Sequence, residues 1–449
     1  MGFDMVVALP GTTPDGQMLF GHNGSRPAEE GQSLDRQPPR AHACGETLIF
    51  GPLALAQVRQ THAVVGWQAT GRWGYRHGVN EHRVVVGRNP IRARLHSDGS
   101  GLTGPDLVRL ALERATSARQ ARDVILDLVG RHGQMAAESE EPNSTFLVAD
   151  VREAFVLETA GNHWAEQEVH AVRAVSDVCH LHQDWDRISR GLADVAIGRG
   201  WWPQDGSKLD FAKIAAPGDR EAPPAMRRWG RATLLLEQHS GRVDRAFVRR
   251  LLADHFEMPA ARSADAFAHP LAEQSICRHG DDPVAPATAV SLIAELTPLM
   301  DQLPLAWCAF GPPCTSVYFP IPLAGELPHA LQADGGDTGC AVWRSMSRLL
   351  HQCRLDARRW EQVREEMARL QLRFEDNCRD LIADAVQLRH AGRQTELERL
   401  AESFMQHNVE CFEEVCQNLS PIGERHADKR PAATQPKPRV AEEEMLPVF

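Results

Sequence analysis

Short apolar runs separated by turn residues fill the first part of the chain. A run at 5–9 and another at 18–21 flank a loop that contains Pro10 and the turn pair Asp15-Gly16. Two apolar runs around a loop of this composition predict two adjacent strands. Two more apolar runs predict further strands at 61–66 and 84–87.

The hydrophobic period changes after residue 100. Leu107, Leu110 and Ala111 share one face of a predicted helix. The string Ser-Ala-Arg-Gln at 117–120 has the form of a capping box, which predicts the start of a second helix that ends near Gly130. The apolar residues of this second helix recur at helical spacing and are Ala121, Val124, Ile125, Leu128 and Val129.

Strand patterns return after this helix pair. Residues 145–150 and 154–158 are joined by a short link that suits a hairpin, and two more short strands are predicted around Trp164 and Val172. Strands followed by helices and then by strands again favour antiparallel sheets covered by helices over an alternating βαβ order. The predicted fold class is therefore α+β.

The pattern becomes helical again towards the C-terminus, with apolar residues at three- and four-residue steps. This stripe includes Val363, Met367, Leu370 and Phe374. The predicted division is a main domain over 1–336, a helical C-terminal region over 337–420 and a disordered tail over 421–449. The tail is predicted to be disordered because it is rich in Pro, Ala and charged residues.

Composition narrows the classes of function. Hydrophobic residues make up 43 % of the 449 residues and charged residues 24 %, which is ordinary for a globular protein. The net charge of −11 argues against nucleic acid and anionic membranes as partners. The N-terminal residues lack the basic and apolar regions of a signal peptide, and no apolar run is long enough to span a bilayer. The expected location is therefore the cytoplasm.

The cysteines and histidines show no metal-binding spacing. The 10 cysteines form no Cys-x-x-Cys pair and no zinc-finger pattern with histidine, and the 20 histidines include no His-Glu-x-x-His motif. We therefore expect reduced and mostly buried thiols, no metal and no other cofactor.

Several strings, in order along the chain, resemble the secernin-type dipeptidases. The clearest are DMVVALP at 4–10, FGHNGSRP at 20–27, GVNEH at 78–82, GPDLVRLALERA at 104–115 and NSTFLVAD at 143–150. LETAG at 157–161 also fits, and SICRH at 275–279 and WCAFGPPC at 307–314 fit more loosely. The resemblance covers roughly residues 3–350.

These dipeptidases belong to the N-terminal-nucleophile hydrolases, together with bile-salt hydrolases and penicillin V acylases. The resemblance implies a four-layer αββα sandwich, in which two stacked antiparallel sheets lie between helical layers, and an ancestral activity of peptide amide hydrolysis. In such enzymes the mature chain starts at a Cys. Its thiolate attacks the amide carbonyl, and its α-amine, with a pKa of about 8, carries the proton.

The chain departs from the family at this nucleophile. The family pattern begins Cys-Asp just before the first apolar strand, and Asp4 matches its second residue, so Phe3 stands at the nucleophile position. Phenylalanine has no lone pair with which to attack a carbonyl. Removing Met1 would expose Gly2, and the first eleven residues contain no Ser, Thr or Cys. The resemblance therefore implies a catalytically impaired homologue, a pseudoenzyme.

Four other positions follow from the same resemblance. In the string NGSR at 23–26, Ser25 replaces the acidic residue expected to hold the N-terminal amine, and His22 is the basic residue before the string. Asn80 matches an asparagine expected to donate to the oxyanion, although a turn asparagine is an equally good interpretation. Asp177 falls where a second such asparagine is expected, and an ionised aspartate cannot donate a hydrogen bond.

Three functions remain open at this point. The first is a non-catalytic homologue that binds a small peptide or acyl-amide ligand. The second is an active cysteine-type dipeptidase or amidase that uses other residues, for which Cys277 near His279, or Cys44, is the candidate nucleophile; an inert buried cysteine is the more ordinary interpretation. The third is a scaffold whose helical stripe forms a homo-oligomer interface.

Overall fold

The computed structural model describes most of the chain. The described residues are 3–27, 29–97, 101–136, 141–216, 223–256, 275–279, 286–333, 339–355 and 357–419. The predicted tail over 421–449 lies outside them. Among the described helices, none combines the length and the apolar character that crossing a bilayer requires.

The strands, in chain order, are β1 (Phe3–Ala8), β2 (Met18–Pro27), β3 (Gln32–Gln37), β4 (Arg40–Ala41), β5 (Thr47–Phe50), β6 (Leu53–Ala56), β7 (Gln60–Thr61), β8 (Val64–Ala69), β9 (His77–Asn80), β10 (Val85–Ile91), β11 (Asn143–Ala149), β12 (Ala154–Ala160), β13 (His163–Glu168), β14 (Val172–Ser176), β15 (Arg187–Ile188), β16 (Pro286–Leu296), β17 (Leu305–Phe310) and β18 (Tyr318–Pro322). The helices are α1 (Gly104–Arg114), α2 (Ala118–His132), α3 (Leu192–Gly198), α4 (Phe211–Ala215), α5 (Pro223–His239), α6 (Arg245–Leu252), α7 (Ala341–Leu355), α8 (Ala357–His390) and α9 (Gln394–Leu419).

Two antiparallel sheets form the centre of the fold. Sheet A has the strand order β14-β1-β2-β16-β17-β18, and sheet B has the order β15-β13-β12-β11-β10-β9-β8-β3. The two sheets touch where β10 contacts β1 and β2. Helices α1 and α2 pack on sheet B, while α5 and α6 pack on sheet A. This is the predicted α+β architecture with two stacked sheets between helical layers, and the prediction is confirmed.

The sheets lie close together because small and aromatic residues meet between them. A Cβ atom added to Gly87 of β10 would lie 2.8 Å from the Phe20 ring and 2.9 Å from the Met5 sulfur, both in sheet A. Nearby, the rings of Trp67 and Phe310 face each other across the same interface with centroids 4.3 Å apart. Any side chain larger than a hydrogen at position 87 would push the sheets apart.

The predicted helix pair is present, but its capping differs in detail. The Ser117 hydroxyl accepts from the Gln120 backbone N–H at 3.3 Å, as a capping box requires. The Gln120 side chain, however, accepts from the Thr116 N–H at 2.9 Å instead of from Ser117. A complete capping box occurs at the start of α1, between Thr103 and Asp106. The predicted start of α2 is therefore correct, and the reciprocal half of its capping box is wrong.

Two predictions of local structure need correction. The apolar run at 61–66 does not form one strand, because it divides between β7 and β8 and leaves His62 and Ala63 outside both. The strands β16, β17 and β18, which complete sheet A, were not predicted.

The C-terminal helices cover one edge of sheet A. Helix α7 contacts β17, and helices α8 and α9 both contact the edge strand β18. The Phe319 ring packs against Phe374 of α8 at 5.3 Å and against Phe412 of α9 at 5.2 Å. The Tyr318 N–H, on the open side of β18, donates to the Gln371 side chain at 2.8 Å. The helices thus satisfy an edge that would otherwise invite pairing with another chain.

The predicted interface stripe is buried inside the chain itself. Its four residues, Val363, Met367, Leu370 and Phe374, are each 2 % exposed or less within the single chain. The alternative in which this stripe faces another copy is therefore contradicted, because the four side chains pack into the core around sheet A, as helical spacing in a globular chain ordinarily indicates.

Candidate functional site

The N-terminal end of β1 lies between β14 and β2. Phe3, the first residue of β1, pairs with Gly24 of β2, and Asp4 lies between Asn23 on one side and Ser176 on the other. The fold therefore brings position 3 next to the NGSR string, as the family resemblance requires. It also places the end of β14, and hence Asp177, at the same end of the sheet.

Beside Phe3, a buried arginine joins two acidic residues. Arg228 of α5 donates through Nε to Asp4 Oδ2 at 3.0 Å and also pairs with Asp177. The Ser176 hydroxyl donates to Asp4 Oδ1 at 2.5 Å. Asp4, Ser176 and Arg228 are each 1 % exposed. Four polar side chains, from β1, the end of β14, the residue after it and α5, thus form one network at the predicted site.

The network holds its charges at a cost in solvation. Burial raises the pKa of the Asp4 carboxyl, and the positive charges of Arg228 and Arg278 oppose that rise. Asp177 does not point at a vacant oxyanion position, because it is paired with the guanidinium of Arg228. The guanidinium of Arg228 therefore offsets much of the repulsion that Asp177 was predicted to exert on an oxyanion. The sequence did not indicate this role of Arg228. One of several arginines in a polar stretch of α5, Arg228 carries no distinguishing sequence signal.

Ser25 and His22 are both buried, and neither joins this network. Among the described residues no group hydrogen-bonds to the Ser25 hydroxyl. His22 lies between the sheets, where its Nδ1 atom is 2.9 Å from Nδ1 of His77. Burial lowers the pKa of His22 to about 3, so the ring is neutral at physiological pH.

The hydrogen bonds of the Asn80 side chain go to backbone groups of its own turn and of the end of α1. Its side-chain amide donates to the Leu112 and Ala115 carbonyls at 2.9 Å and 2.7 Å, and its oxygen accepts from the His82 and Val84 N–H groups at 3.0 Å. Both of its N–H bonds are thus used to hold the C-terminal end of α1. The geometry supports the turn interpretation of Asn80 and leaves no donor for an oxyanion.

Asn23, in the same string as Ser25, has a structural role that the sequence did not reveal. Its amide donates to the Leu252 and Ile276 carbonyls at 2.8 Å and 3.1 Å, and its oxygen accepts from the Ser291 hydroxyl at 2.7 Å. It therefore ties β2 to the end of α6 and to the segment 275–279.

That segment contributes to a compact group of thiols and imidazoles. Nε2 of His279 lies 3.0 Å from Nε2 of His255, 3.1 Å from the Cys314 sulfur and 3.7 Å from the Cys277 sulfur. The predicted proximity of Cys277 and His279 is real, but burial raises the pKa of the Cys277 thiol well above its ordinary value. A thiol held protonated is a poor nucleophile. Cys44 is exposed in the loop between β4 and β5.

A cavity of about 350 Å³ opens at the same end of sheet A. Its walls come from the ends of β2 and β17, the start of β16 and one face of α7. The lining residues are Arg26, Glu29, His279, Ala287, Thr288, Ala289, Gly311, Pro312, Trp343, Met346, Ser347, Leu350 and His351. The volume lies in the range of small-molecule sites, and a mostly apolar wall with a few polar groups is typical of them.

Comparison with known proteins gives low similarity. A scan against models of protein families found no match. Among solved structures, a variant of the conjugated bile acid hydrolase from Clostridium perfringens matches with 11 % identity and a TM-score of 0.41, over 68 % of this chain and 89 % of that one. Penicillin V acylase from Agrobacterium tumefaciens matches with 12 % identity and a TM-score of 0.40, over 71 % and 86 %. The N-acylethanolamine-hydrolyzing acid amidase ortholog from Caenorhabditis elegans matches with 11 % identity and a TM-score of 0.32, over 65 % and 91 %.

Proposed function

We propose that this chain is a secernin-like relative of the N-terminal-nucleophile hydrolases that binds a small peptide or acyl amide without cleaving it. The observation that carries the proposal is Phe3 at the first position of β1, paired with Gly24 and followed by Asp4. A phenyl side chain supplies neither the attacking atom nor the proton transfer that amide cleavage needs.

The surroundings of Phe3 support the loss of hydrolysis. Ser25 is a neutral residue where the family has an acid, and Asn80 spends its donors on the carbonyls of α1. Asp4 and Asp177 are both paired with Arg228. A site that lacks its nucleophile and one oxyanion donor has lost two main sources of rate acceleration in acyl transfer, covalent attack and stabilisation of the oxyanion.

The cavity supports the retention of binding. Its volume of about 350 Å³ suits a dipeptide or a short acyl amide. His279 and His351 give its wall polar groups that can meet a carboxylate or an amide, while Met346 and Leu350 give it apolar surface. Arg26 lines the cavity with its guanidinium paired to Glu30. The ligand is thus expected to lie against sheet A and α7.

The direct test combines a turnover assay with a binding assay. Purified protein is incubated with a panel of dipeptides and acyl amides, and release of product is measured by mass spectrometry; no turnover is expected. Thermal shift on the same panel is expected to show stabilisation by one or more members. A ligand at 100 times its Kd stabilises by about 2.7 kcal/mol, which is readily measured.

A pair of variants locates the binding. Ser347→Trp places an indole in the cavity wall and is expected to abolish the thermal shift. Ser345→Trp, two residues earlier on α7 and outside the cavity lining, is the matched control and is expected to retain it. If the wild type hydrolyses a member of the panel and Phe3→Ala still hydrolyses it, the proposal is refuted. That result would favour an amidase that uses other residues.

A further inference from the structure

Four metal-binding side chains converge at the end of sheet A where the cavity lies. His255 follows α6, Cys277 and His279 precede β16, and Cys314 follows β17. One ligand atom from each, two imidazole nitrogens and two sulfurs, lies within 4.8 Å of every other. Residues from three separate segments therefore share one small volume.

The spacing of these atoms matches a tetrahedral metal centre. Zinc binds sulfur at about 2.3 Å and imidazole nitrogen at about 2.0–2.1 Å, so the ligand atoms of a tetrahedral Cys2His2 site lie about 3.3–3.8 Å from one another. The distances from His279 Nε2 to the other three ligand atoms are 3.0 Å, 3.1 Å and 3.7 Å. The other three pairs of ligand atoms also lie within 4.8 Å of each other, so small side-chain movements bring all four to an ion at the centre.

Backbone hydrogen bonds hold two of the three segments in place. The Cys277 N–H donates to the Asp254 carbonyl at 3.1 Å, which links the segment 275–279 to the residue before His255. The Arg278 N–H donates to the Thr288 hydroxyl at 3.0 Å, and the Thr288 N–H donates back to the Arg278 carbonyl at 3.0 Å. Cys277 and His279 therefore flank a residue that is fixed to β16, so both ligands are presented by ordered backbone.

The chemistry of the four groups is also suited to a bound cation. Cys277 and His279 are 0 % and 2 % exposed. Two imidazole Nε2 atoms at 3.0 Å can share only one proton between them, and a second proton at this contact would place two donors face to face. A divalent ion bound by two thiolates and two neutral imidazoles leaves the buried group without net charge.

We propose that His255, Cys277, His279 and Cys314 bind one Zn²⁺ ion in a closed tetrahedral site that fastens the end of α6 and the segment before β16 to the turn after β17. Four protein ligands leave no open position, so the ion is structural and activates no water. Binding converts both thiols to thiolates and releases two protons to solvent. Because His279 also lines the cavity, the ion fixes one part of the cavity wall.

The test measures metal content and the coordination of a spectroscopic substitute. The full chain is produced in zinc-supplemented medium, purified without chelators and analysed by plasma mass spectrometry; one zinc ion per chain is expected. After exchange with Co²⁺, the protein is expected to show the intense ligand-field bands of tetrahedral cobalt together with a thiolate-to-metal charge-transfer band. A pale octahedral spectrum would overturn the assignment.

Matched cysteine variants locate the ion. Cys314→Ser is expected to reduce the zinc content to below about one tenth of an equivalent, whereas Cys308→Ser, a buried cysteine of β17 outside the cluster, is expected to retain the full equivalent. Retention of zinc by folded Cys314→Ser would overturn the site. If Cys314→Ser does not fold, stepwise mercurial titration of the wild-type thiols decides the question. Zinc release on modification of Cys277 and Cys314 supports the site, and release at other thiols refutes it.

Two further results would refute the proposal directly. The first is a zinc content below one tenth of an equivalent in the wild type after growth with zinc. The second is a disulfide between Cys277 and Cys314, detected by peptide mapping of protein that was purified under reducing conditions. Removal of the ion by a chelator is expected to lower the melting temperature by about 5 °C or more.

Discussion

Replacing Arg228 by methionine tests whether the network beside Phe3 is an energetic unit. Arg228→Met keeps an unbranched apolar side chain at this position and removes the charge that both Asp4 and Asp177 face. The Asp4 side chain is 2 % exposed and that of Asp177 is 16 % exposed, so water replaces little of the lost interaction. Breaking a buried ion pair by removing one partner costs about 3–5 kcal/mol. Because two carboxylates lose the guanidinium that pairs with them, the upper end of this range is expected at pH 7.5.

The measurement is urea unfolding followed by tryptophan fluorescence and circular dichroism. Arg131→Met is the matched control, because its pair with Asp127 at 2.8 Å is exposed on α2, and loss of an exposed pair costs less than about 1 kcal/mol. Adding Asp4→Asn to Arg228→Met is expected to recover part of the loss, since one buried charge is then gone. The deficit of Arg228→Met is also expected to shrink as the pH falls towards the unfolded value of 3.8 for Asp4, because a protonated carboxyl needs no cation.

The result that would refute this reasoning is a loss from Arg228→Met no larger than that of the control. Solvent would then reach Asp4 in the folded state, and the site beside Phe3 would be open and hydrated.

Four other substitutions have defined outcomes. Burial raises the pKa of Glu158 from 4.5 to about 7, so its contribution to stability is present below pH 4.5 and is lost as the pH rises through 7. In urea titrations, the stability of the wild type relative to Glu158→Gln is expected to fall by about 3 kcal/mol between pH 4.5 and pH 8. Parallel profiles for the two proteins would contradict this. Gly74→Ala places a Cβ 2.4 Å from the Pro105 backbone and is expected to destabilise the fold by about 3 kcal/mol. Gly230→Ala has open space in the middle of α5 and is expected to stabilise the fold by about 0.5–1 kcal/mol. Calorimetric melting curves that rank the two variants in the reverse order would be inconsistent with this packing. Asn80→Ala leaves the Leu112 and Ala115 carbonyls without these donors and is expected to lower the free energy of unfolding in urea by about 2–4 kcal/mol. Ligand-induced thermal shifts are expected to stay unchanged. Loss of the ligand-induced shift without loss of stability would indicate a binding role for Asn80.

Local sequence patterns predict the elements whose partners are near in the chain. The pair β1 and β2, the hairpin of β11 and β12, and helices α1 and α2 follow from apolar periodicity and turn residues. The chain order of strands and helices was enough to predict the layered α+β class. In contrast, β14 follows β13 in sequence but crosses to sheet A to pair with β1, and no local signal reports such a crossing.

The site residues show the same limit. The resemblance implied that Phe3, Ser25 and Asp177 belong to one site, and the pairing of β1 with β2 and β14 brings these positions to the same end of sheet A. The partners that decide the electrostatics come from elsewhere: Arg228 reaches the site from α5, and His255 and Cys314 reach Cys277 from distant segments. Metal-binding motifs are recognised by short, fixed spacings along the chain. Ligands contributed by three separate segments have no such spacing, so the sequence pattern did not indicate them.

Sheet A also has a consequence for the order of events during synthesis. Its edge strand β18 is covered only when Gln371 and Phe412 have been synthesised, and Phe412 lies in the second half of α9. A nascent chain that has emerged as far as β18 still exposes an apolar strand edge, and at 5–20 residues per second about 100 further residues take roughly 5–20 s to appear. During that interval the unfinished polypeptide is the species most in need of a chaperone, and a stop codon placed before α8 would make that exposure permanent.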